Sequence, residues 1–344
     1  MERTKLLFVL CITIITLSTY CDSPTGSENL QPGRRDYIWS LDSLTIPYTV
    51  LQRIWGSAPD DVWAVGPGGD LDKTIYHFNG TEWENDGVSR ILSPLTVFGF
   101  GRNDVWFAGR EGRIWHYNGQ EFEESTWFRK NGYFVGFQDL WGDSPNNIYA
   151  TGYADSISIE YRRGIILHNN GNNWGEVNIP FIPYNFMRIK RGIKENPLFY
   201  IWGEKTTPLA PDSVGLFELN GNNVRQIYKG RWNSEGQCFV QEIDGKLYFV
   251  IGNNIYKYVN REFVLWLDIN EPQFGMQIFG RNEKDIFLRM EDGIAHYNGS
   301  NIEYIYHTEP HISVSEGVLF ENVVVFLALD RNTYGNIIIS GKLN

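Results

Sequence analysis

IWGSAPDDVWAVG (54–66), VFGFGRNDVWFAG (97–109) and LWGDSPNNIYATG (140–152) restate one pattern, and a looser copy, IFGRNEKDIFLRM, follows at 278–290. Trp55 to Phe98 and Phe98 to Trp141 are each 43 residues, and Trp141 to Phe279 is 138, or three steps of 46. Two weaker units must lie between. In each copy an aromatic-Gly run and a Val/Ile-aromatic run flank a cluster of Ser, Pro, Asp and Asn. Short β-forming runs on either side of turn residues predict a hairpin, here strands a and b.

A second signature follows in every clear unit: IYHFNGTEW (75–83), IWHYNGQEF (114–122), ILHNNGNNW (166–174), LFELNGNNV (216–224) and IAHYNGSNI (294–302). Asn-Gly tolerates positive φ at both centres of a type I′ turn, so a two-residue hairpin is expected between strands c and d. Each unit is then a four-stranded antiparallel meander of 40 to 45 residues. Such a sheet cannot bury both faces alone and does so against its neighbours around an axis, which is a β-propeller blade. Strand a is expected to start near Arg53, Thr96, Gln138, Phe186, Gln237, Met276 and Gly317, giving seven blades.

The last unit holds GVLFE (317–321), VVVFLALD (323–330) and IIISGKL (337–343) and ends without an outer strand. YIWSLDSLTIP (37–47) precedes blade one and resembles the outer strand EFVLWLD (262–268). The N-terminal strand is therefore expected to complete the last blade, closing the ring and leaving no open edge. One propeller would span residues 37–344, and a monomer is expected.

Aromatic residues make up 15% of the chain and 35 residues are Gly, a balance that suits short strands and tight turns. The net charge is -11 and no Lys/Arg-rich run occurs, which excludes nucleic acid as an expected partner. Residues 1–20, with Arg3 and Lys5 before LLFVLCITIITL (6–17), read as a signal peptide, too short to span a bilayer stably. Its removal leaves 28 basic and 40 acidic residues. Ser18-Thr19-Tyr20-Cys21 resembles a bacterial lipoprotein cleavage site, which implies a lipidated Cys21 and an envelope membrane. Leu17 sits one place further upstream than the usual pattern, and Tyr20 is bulkier than the usual residue there. Cys11 leaves with the signal and Cys238 lies in an apolar run, so no disulfide framework exists. Residues 21–36, polar and without periodicity, read as a tether.

Over residues 37–344 the chain resembles the broad propeller class of WD40, Kelch and sialidase-like repeat proteins, and most of all uncharacterised bacterial propeller lipoproteins. The match is architectural. The tryptophan-aspartate ends of WD40 blades and the double glycines of Kelch blades are absent, and Asn79 to Trp83 is similar only to the end of a sialidase-like Asp-box turn. No arginine triad and no Tyr/Glu pair can be placed from the sequence, so sialidase chemistry is not implied.

His77, His116, His168 and His296 share one position in strand c of four different blades, and Glu218 and Lys257 take that position elsewhere. Neighbouring sheets lie about 10 Å apart, so these histidines read as anchors of the c–d hairpin rather than a metal site. Asp70 and Asp72 start like a calcium loop but lack the later oxygens of one. Asp60, Asp61, Asn103, Asp104, Asn146 and Asn147 are expected to cap backbone groups in a–b turns. No cofactor is expected.

In a propeller the b–c and d–a connections share the face around the central channel, where functional residues are expected. The b–c connections PGGDLDKT (67–74), YADSISIEYRRG (153–164) and GEKTTPLAPDSVG (203–215) read as long loops, so the face should be lopsided. Aromatic and basic residues gather in the same set of connections: Trp127, Arg129, Tyr133, Tyr161, Arg162, Arg163, Tyr184, Arg231 and Trp232. Tyr, Trp and Arg dominate interface hot spots and stack on sugars, so these nine are the candidate ligand-binding residues. A non-enzymatic module binding a protein or a glycan is expected. The rival expectations are a carbohydrate-active hydrolase or lyase using Asp70, Asp155 or Glu204, which needs paired acids roughly 5 to 9.5 Å apart, and an assembly factor in a larger envelope complex.

Overall fold

The computed structural model describes residues 30–344 apart from 45, 47, 157–161, 193–197, 207–210 and 234–235. Strand β1 (Tyr37–Leu44) comes first. Blade one is β2 (Arg53–Ala58), β3 (Asp61–Val65), β4 (Ile75–Phe78) and β5 (Trp83–Glu84); blade two is β6 (Pro94–Gly101), β7 (Asp104–Gly109), β8 (Arg113–Tyr117) and β9 (Phe122–Trp127). Blade three is β10 (Tyr133–Ser144), β11 (Asn147–Ser156), β12 (Arg162–Asn169) and β13 (Trp174–Glu176); blade four is β14 (Asn185–Arg191), β15 (Leu198–Thr206), β16 (Pro211–Asn220) and β17 (Asn223–Arg231). Blade five is β18 (Cys238–Ile243), β19 (Lys246–Ile251), β20 (Asn254–Val259) and β21 (Glu262–Asp268); blade six is β22 (Phe274–Asn282), β23 (Asp285–Met290), β24 (Gly293–Tyr297) and β25 (Ile302–His307). Blade seven joins β26 (Ile312–Leu319), β27 (Val323–Asp330) and β28 (Asn336–Leu343) to β1. The result is seven four-stranded antiparallel sheets, a seven-bladed β-propeller.

Burial follows strand position. Strand b lies between the neighbouring blades and is covered on both faces, so β3 (DVWAV) is buried at every residue and β7 (DVWFAG) at all but its first. Strand d is outermost, and β21 (EFVLWLD) carries no buried residue. Aromatic rings fill the wedges between blades: Phe107 of blade two meets Trp63 of blade one edge-on at 5.5 Å, and Trp141 of blade three meets Phe199 of blade four at 5.6 Å. Buried rings of this size carry most of the apolar area that holds adjacent sheets together.

Closure takes the expected route. β1 pairs antiparallel with β28 from Tyr37↔Leu343 to Leu44↔Asn336. Asn336 then bridges to blade one, its Oδ1 accepting from the Leu51 amide at 2.7 Å and its Nδ2 donating to the Thr49 carbonyl at 2.9 Å. The ordered body starts earlier than residue 37. Gly33 donates its amide to the Lys284 carbonyl, and Arg35 reaches the carbonyls of His296 and Asn301 at 2.8 and 2.7 Å. Arg34 and Asp36 bond to Asn344 at the end of blade seven, so residues 33–36 lie along blades six and seven. Cys21 and the signal segment lie outside the described residues.

Three local expectations need correction. Four Asn-Gly pairs form four-residue connections, as Phe78↔Trp83 and Tyr117↔Phe122 show, and only the glycine takes positive φ. Asn79 Oδ1 accepts the amides of Thr81 and Glu82, so the asparagine closes an Asx turn from an ordinary backbone conformation. The strand c histidines bond to the first residue of strand b rather than to the c–d hairpin: His77 to Asp61 at 2.7 Å, and His116, His168 and His296 to Asp104, Asn147 and Asp285 at 2.8 Å. Three of the rings also stack on an aromatic of strand b, His77 on Trp63 with centroids 4.0 Å apart, and His296 is tilted against Phe287. The acids of the a–b turns therefore serve side chains, Asp61 and Asp104 within the blade and Asp60 toward Arg102 of the next.

Inner strand a starts earlier than expected in blades three and seven, at Tyr133 and Ile312. The cause is a bulge. Pairing with strand b shifts register between Phe137 and Asp139, between Phe186 and Arg188, and between Val314 and Glu316. An extra residue in an inner strand hides its start from an alternation pattern and re-aims the side chains that follow.

Candidate functional site: the loop face and the channel mouth

Each inner strand starts, and each outer strand ends, on one face of the ring, where the b–c connections also turn; a–b and c–d turns take the opposite face. Fourteen large hydrophobic side chains are exposed among the described residues, and nine belong to the first face. Tyr48, Val88, Ile91 and Phe181 sit in d–a connections, Trp127 ends β9, Phe134 is second in β10, Trp232 follows β17, and Leu71 and Tyr334 sit in b–c connections. Only Val259 belongs to the opposite face; the remaining four lie on the outer strands β1 and β21.

Two of the nine are held out in a costly conformation. Tyr48 is 92% exposed at φ 60°, and Tyr334 is 67% exposed at φ 57°. A bulky residue in the left-handed region is strained, and such strain persists where the surroundings impose it. For Tyr334 the cause is visible: Asp330 accepts the amides of Asn332 and Thr333 through Oδ1 and that of Tyr334 through its carbonyl.

The sequence candidates divide. Trp127 donates Nε1–H to the Glu111 carbonyl at 3.0 Å, while Arg113 and Arg129 lie over its ring at 3.9 and 3.1 Å from the centroid. Its π-surface is already in use, which leaves little of it for a sugar ring. Tyr133 is half-buried at the start of β10 beside exposed Phe134. Arg162 pairs with Asp155 at 3.0 Å and lies over the Tyr153 ring, and Arg163 donates to the Ile179 carbonyl at 3.4 Å. Tyr184 is not on the surface. It packs edge-on against Phe217 and accepts a hydrogen bond from Gln226, because residues 177–184 fold back between blades three and four. Arg231 and Trp232 are exposed, and Trp232 borders the channel. Tyr161 lies outside the described residues.

Two of the three long b–c segments are largely strand. β11 and β12 stay paired out to Asp155↔Arg162, and β15 and β16 to Thr206↔Pro211, so these blades raise hairpins above the ring. In blade one a short 3-10 turn, Leu71–Lys73, fills the connection, and Asp70 faces Lys73 at 3.4 Å.

What the sequence reading missed is the channel itself. Arg188, in β14, is bonded to Glu316, in β26, across 128 residues of chain; Arg53, opening β2, lies 3.5 Å from the same carboxylate, and Gln277 donates to it at 3.4 Å. Deeper along β14, Lys190 faces Asp139 at 3.9 Å. Burial and the repulsion of Arg188 push the Arg53 guanidinium down to about 10. Burial pushes the Glu204 carboxyl up to about 7, against the pull of Arg53 and Arg162. A carboxyl near neutrality is suited to proton exchange, but Asp155 and Asp70 are each paired with a base and no second acid is bonded to Glu204 among the described residues.

No protein-family model matches the sequence, and a search of curated proteins returns no match. Solved structures do resemble it. YCF48 bound to a D1 peptide is 12% identical with a TM-score of 0.62, covering 92% of this chain and 100% of that one. A catalytically inactive variant of virginiamycin B lyase from Staphylococcus aureus, with quinupristin, is 13% identical at TM-score 0.59, covering 88% and 99%. BBS1N in complex with ARL6DN is 12% identical at TM-score 0.56, covering 90% and 98%. At such identities the likeness establishes the fold alone: by architecture this chain is a seven-bladed β-propeller.

Proposed function

We propose that this propeller is a non-enzymatic binding module, held at a cell-envelope membrane through Cys21, that presents its d–a and b–c face to a protein partner. One observation carries the reading: nine of the fourteen exposed large hydrophobic side chains share that face. Exposed apolar side chains gathered on one side of a ring mark an interaction surface, and aromatic anchors beside arginines are the composition of interface hot spots. Two of the similar structures are described with a peptide or a protein partner, which supports a protein ligand. A glycan is the weaker choice because the Trp127 ring is covered by arginines.

Site-specific photo-crosslinkers at Phe134 and Phe181, with Val259 as the opposite-face control, test the reading in intact cells. One partner should cross-link from the first two positions only, and a Tyr48→Ser/Phe134→Ser/Phe181→Ser variant should lose it. Equal cross-linking from Val259 removes the face. Palmitate-analogue labelling of the wild type, absent in Cys21→Ala, tests the anchor; an unlabelled wild type refutes it.

A further inference from the structure

Three arginines from three blades meet at the channel mouth. Arg53 opens β2, Arg188 follows the bulge of β14, and Arg289 lies near the end of β23. All three line a cavity of about 560 Å³, within the range of small-ligand sites. Trp202, Trp232 and Phe274 line the same cavity.

The charges do not balance. Arg188 and Arg53 share Glu316, and Arg289 donates to the Gly275 carbonyl at 3.3 Å and faces the half-exposed Glu291 at 3.6 Å. With Lys190 facing Asp139, an acid that also acts on Arg53 and Arg188, four cations thus meet three carboxylates, in a chain whose net charge is -11. Glu204, a further acid that acts on Arg53, has its carboxyl raised to about 7 by burial. The Nε–H of Arg53, Arg188 and Arg289 is in each case buried and finds no acceptor among the described residues. Arg188 as a whole is only 8% exposed. Buried charged donors without an acceptor are costly, which leaves these three side chains short of negative partners.

We propose that the channel mouth binds a carboxylate carried on an apolar body, with Arg53, Arg188 and Arg289 as donors and Trp202, Trp232 and Phe274 as the apolar wall. A single surplus positive charge matches a monoanion, and Glu291, the acid in the cavity wall, repels a phosphate dianion. The planar guanidinium fork also fits a carboxylate in two-point contact. This rests on the loop face being a binding face and names the ligand chemistry at its centre. A free organic acid and the C-terminus of a polypeptide present the same group.

Calorimetric titration of the purified protein separates these sources. The probes are N-acetyl-phenylalanine, its carboxamide, a glycine-rich hexapeptide ending in phenylalanine with a free or an amidated C-terminus, and inorganic phosphate. Both free carboxylates should bind roughly tenfold or more tightly than their amides. Tighter binding of the peptide than of the amino acid points to a polypeptide end, the reverse to a small acid. Arg289→Gln should weaken carboxylate binding roughly tenfold with an unchanged melting temperature. Arg188→Met combined with Glu316→Leu leaves the net charge of the channel unchanged and should weaken binding too. Equal binding of acids and amides, tighter binding of phosphate, no binding of either acid, or wild-type affinity in both variants overturns the proposal. Cross-linking at Phe134 that persists without carboxylate binding removes the pocket and leaves the face.

Discussion

Glu316→Gln removes the charge on which the channel is organised. The carboxylate is 6% exposed, bonded to Arg188 and 3.5 Å from Arg53. At an effective dielectric constant near 20, a pair at that distance attracts by about 4–5 kcal/mol, and the shorter Arg188 contact by more. Both attractions end with the substitution, and two guanidinium groups are left facing each other in a buried channel. Part of the loss is offset because a carboxylate no longer has to be buried, which leaves about 3–5 kcal/mol of destabilisation. For a domain of this size that is a fall in melting temperature of roughly 6–20 °C. Arg188→Met should cost a similar amount, since it leaves Glu316 with Arg53 as its one charged partner at contact distance, beside the Gln277 amide. Combining Arg188→Met with Glu316→Leu should cost well under the sum of the singles, with a coupling above about 1.5 kcal/mol. Urea unfolding followed by tryptophan fluorescence gives all three values. A Glu316→Gln variant within about 0.5 kcal/mol of wild type, or strict additivity in the pair, refutes the reasoning.

Gly119→Ala should cost about 1–3 kcal/mol, because the residue sits at φ 94° and a Cβ would lie 2.5 Å from the Asn103 side chain; Gly87→Ala, at φ 64° with open space, should cost only the backbone strain, and equal costs in thermal melts would argue against the close approach. The raised Glu204 carboxyl binds its proton more tightly folded than unfolded, so stability should fall as pH rises from about 4.5 to about 7 and level off above. Glu204→Gln should abolish up to about 3 kcal/mol of that decline, and parallel pH-stability curves for the two proteins would contradict the burial argument. Deleting residues through Leu44 leaves β28 unpaired over eight positions. The product should dimerise or aggregate through that edge on size-exclusion chromatography with light scattering, and a stable monomer would show that β1 does not close the ring.

Much of the architecture is written in neighbouring residues. A repeat near 43 residues, Asn-Gly turns and buried b strands such as DVWAV each report structure formed within a single blade, where contacts are local in sequence. The missing outer strand of blade seven was legible because a blade short of one strand leaves an unpaired edge, and the YIWSLDSL segment was the spare one. Local detail was less secure. His77 and Asp61 were both singled out, yet their bond to one another depends on the pairing of β3 with β4, which sets Trp63 opposite His77. Tyr184 read as a loop aromatic, and only the return of residues 177–184 between two blades buries it.

By itself, then, the sequence determined the propeller, its closure by the N-terminal strand and the face on which its connections gather, because repeat period and turn chemistry act over short stretches of chain. Tertiary structure alone decided the channel. Arg53 and Arg188 hold the same inner-strand position of their repeats while Arg289 lies in a b strand, and no spacing tells which of these positions carry complementary charge across the ring. The bulges of the inner strands aim Arg188 and Glu316 toward each other, and ring closure brings them together from 128 residues apart.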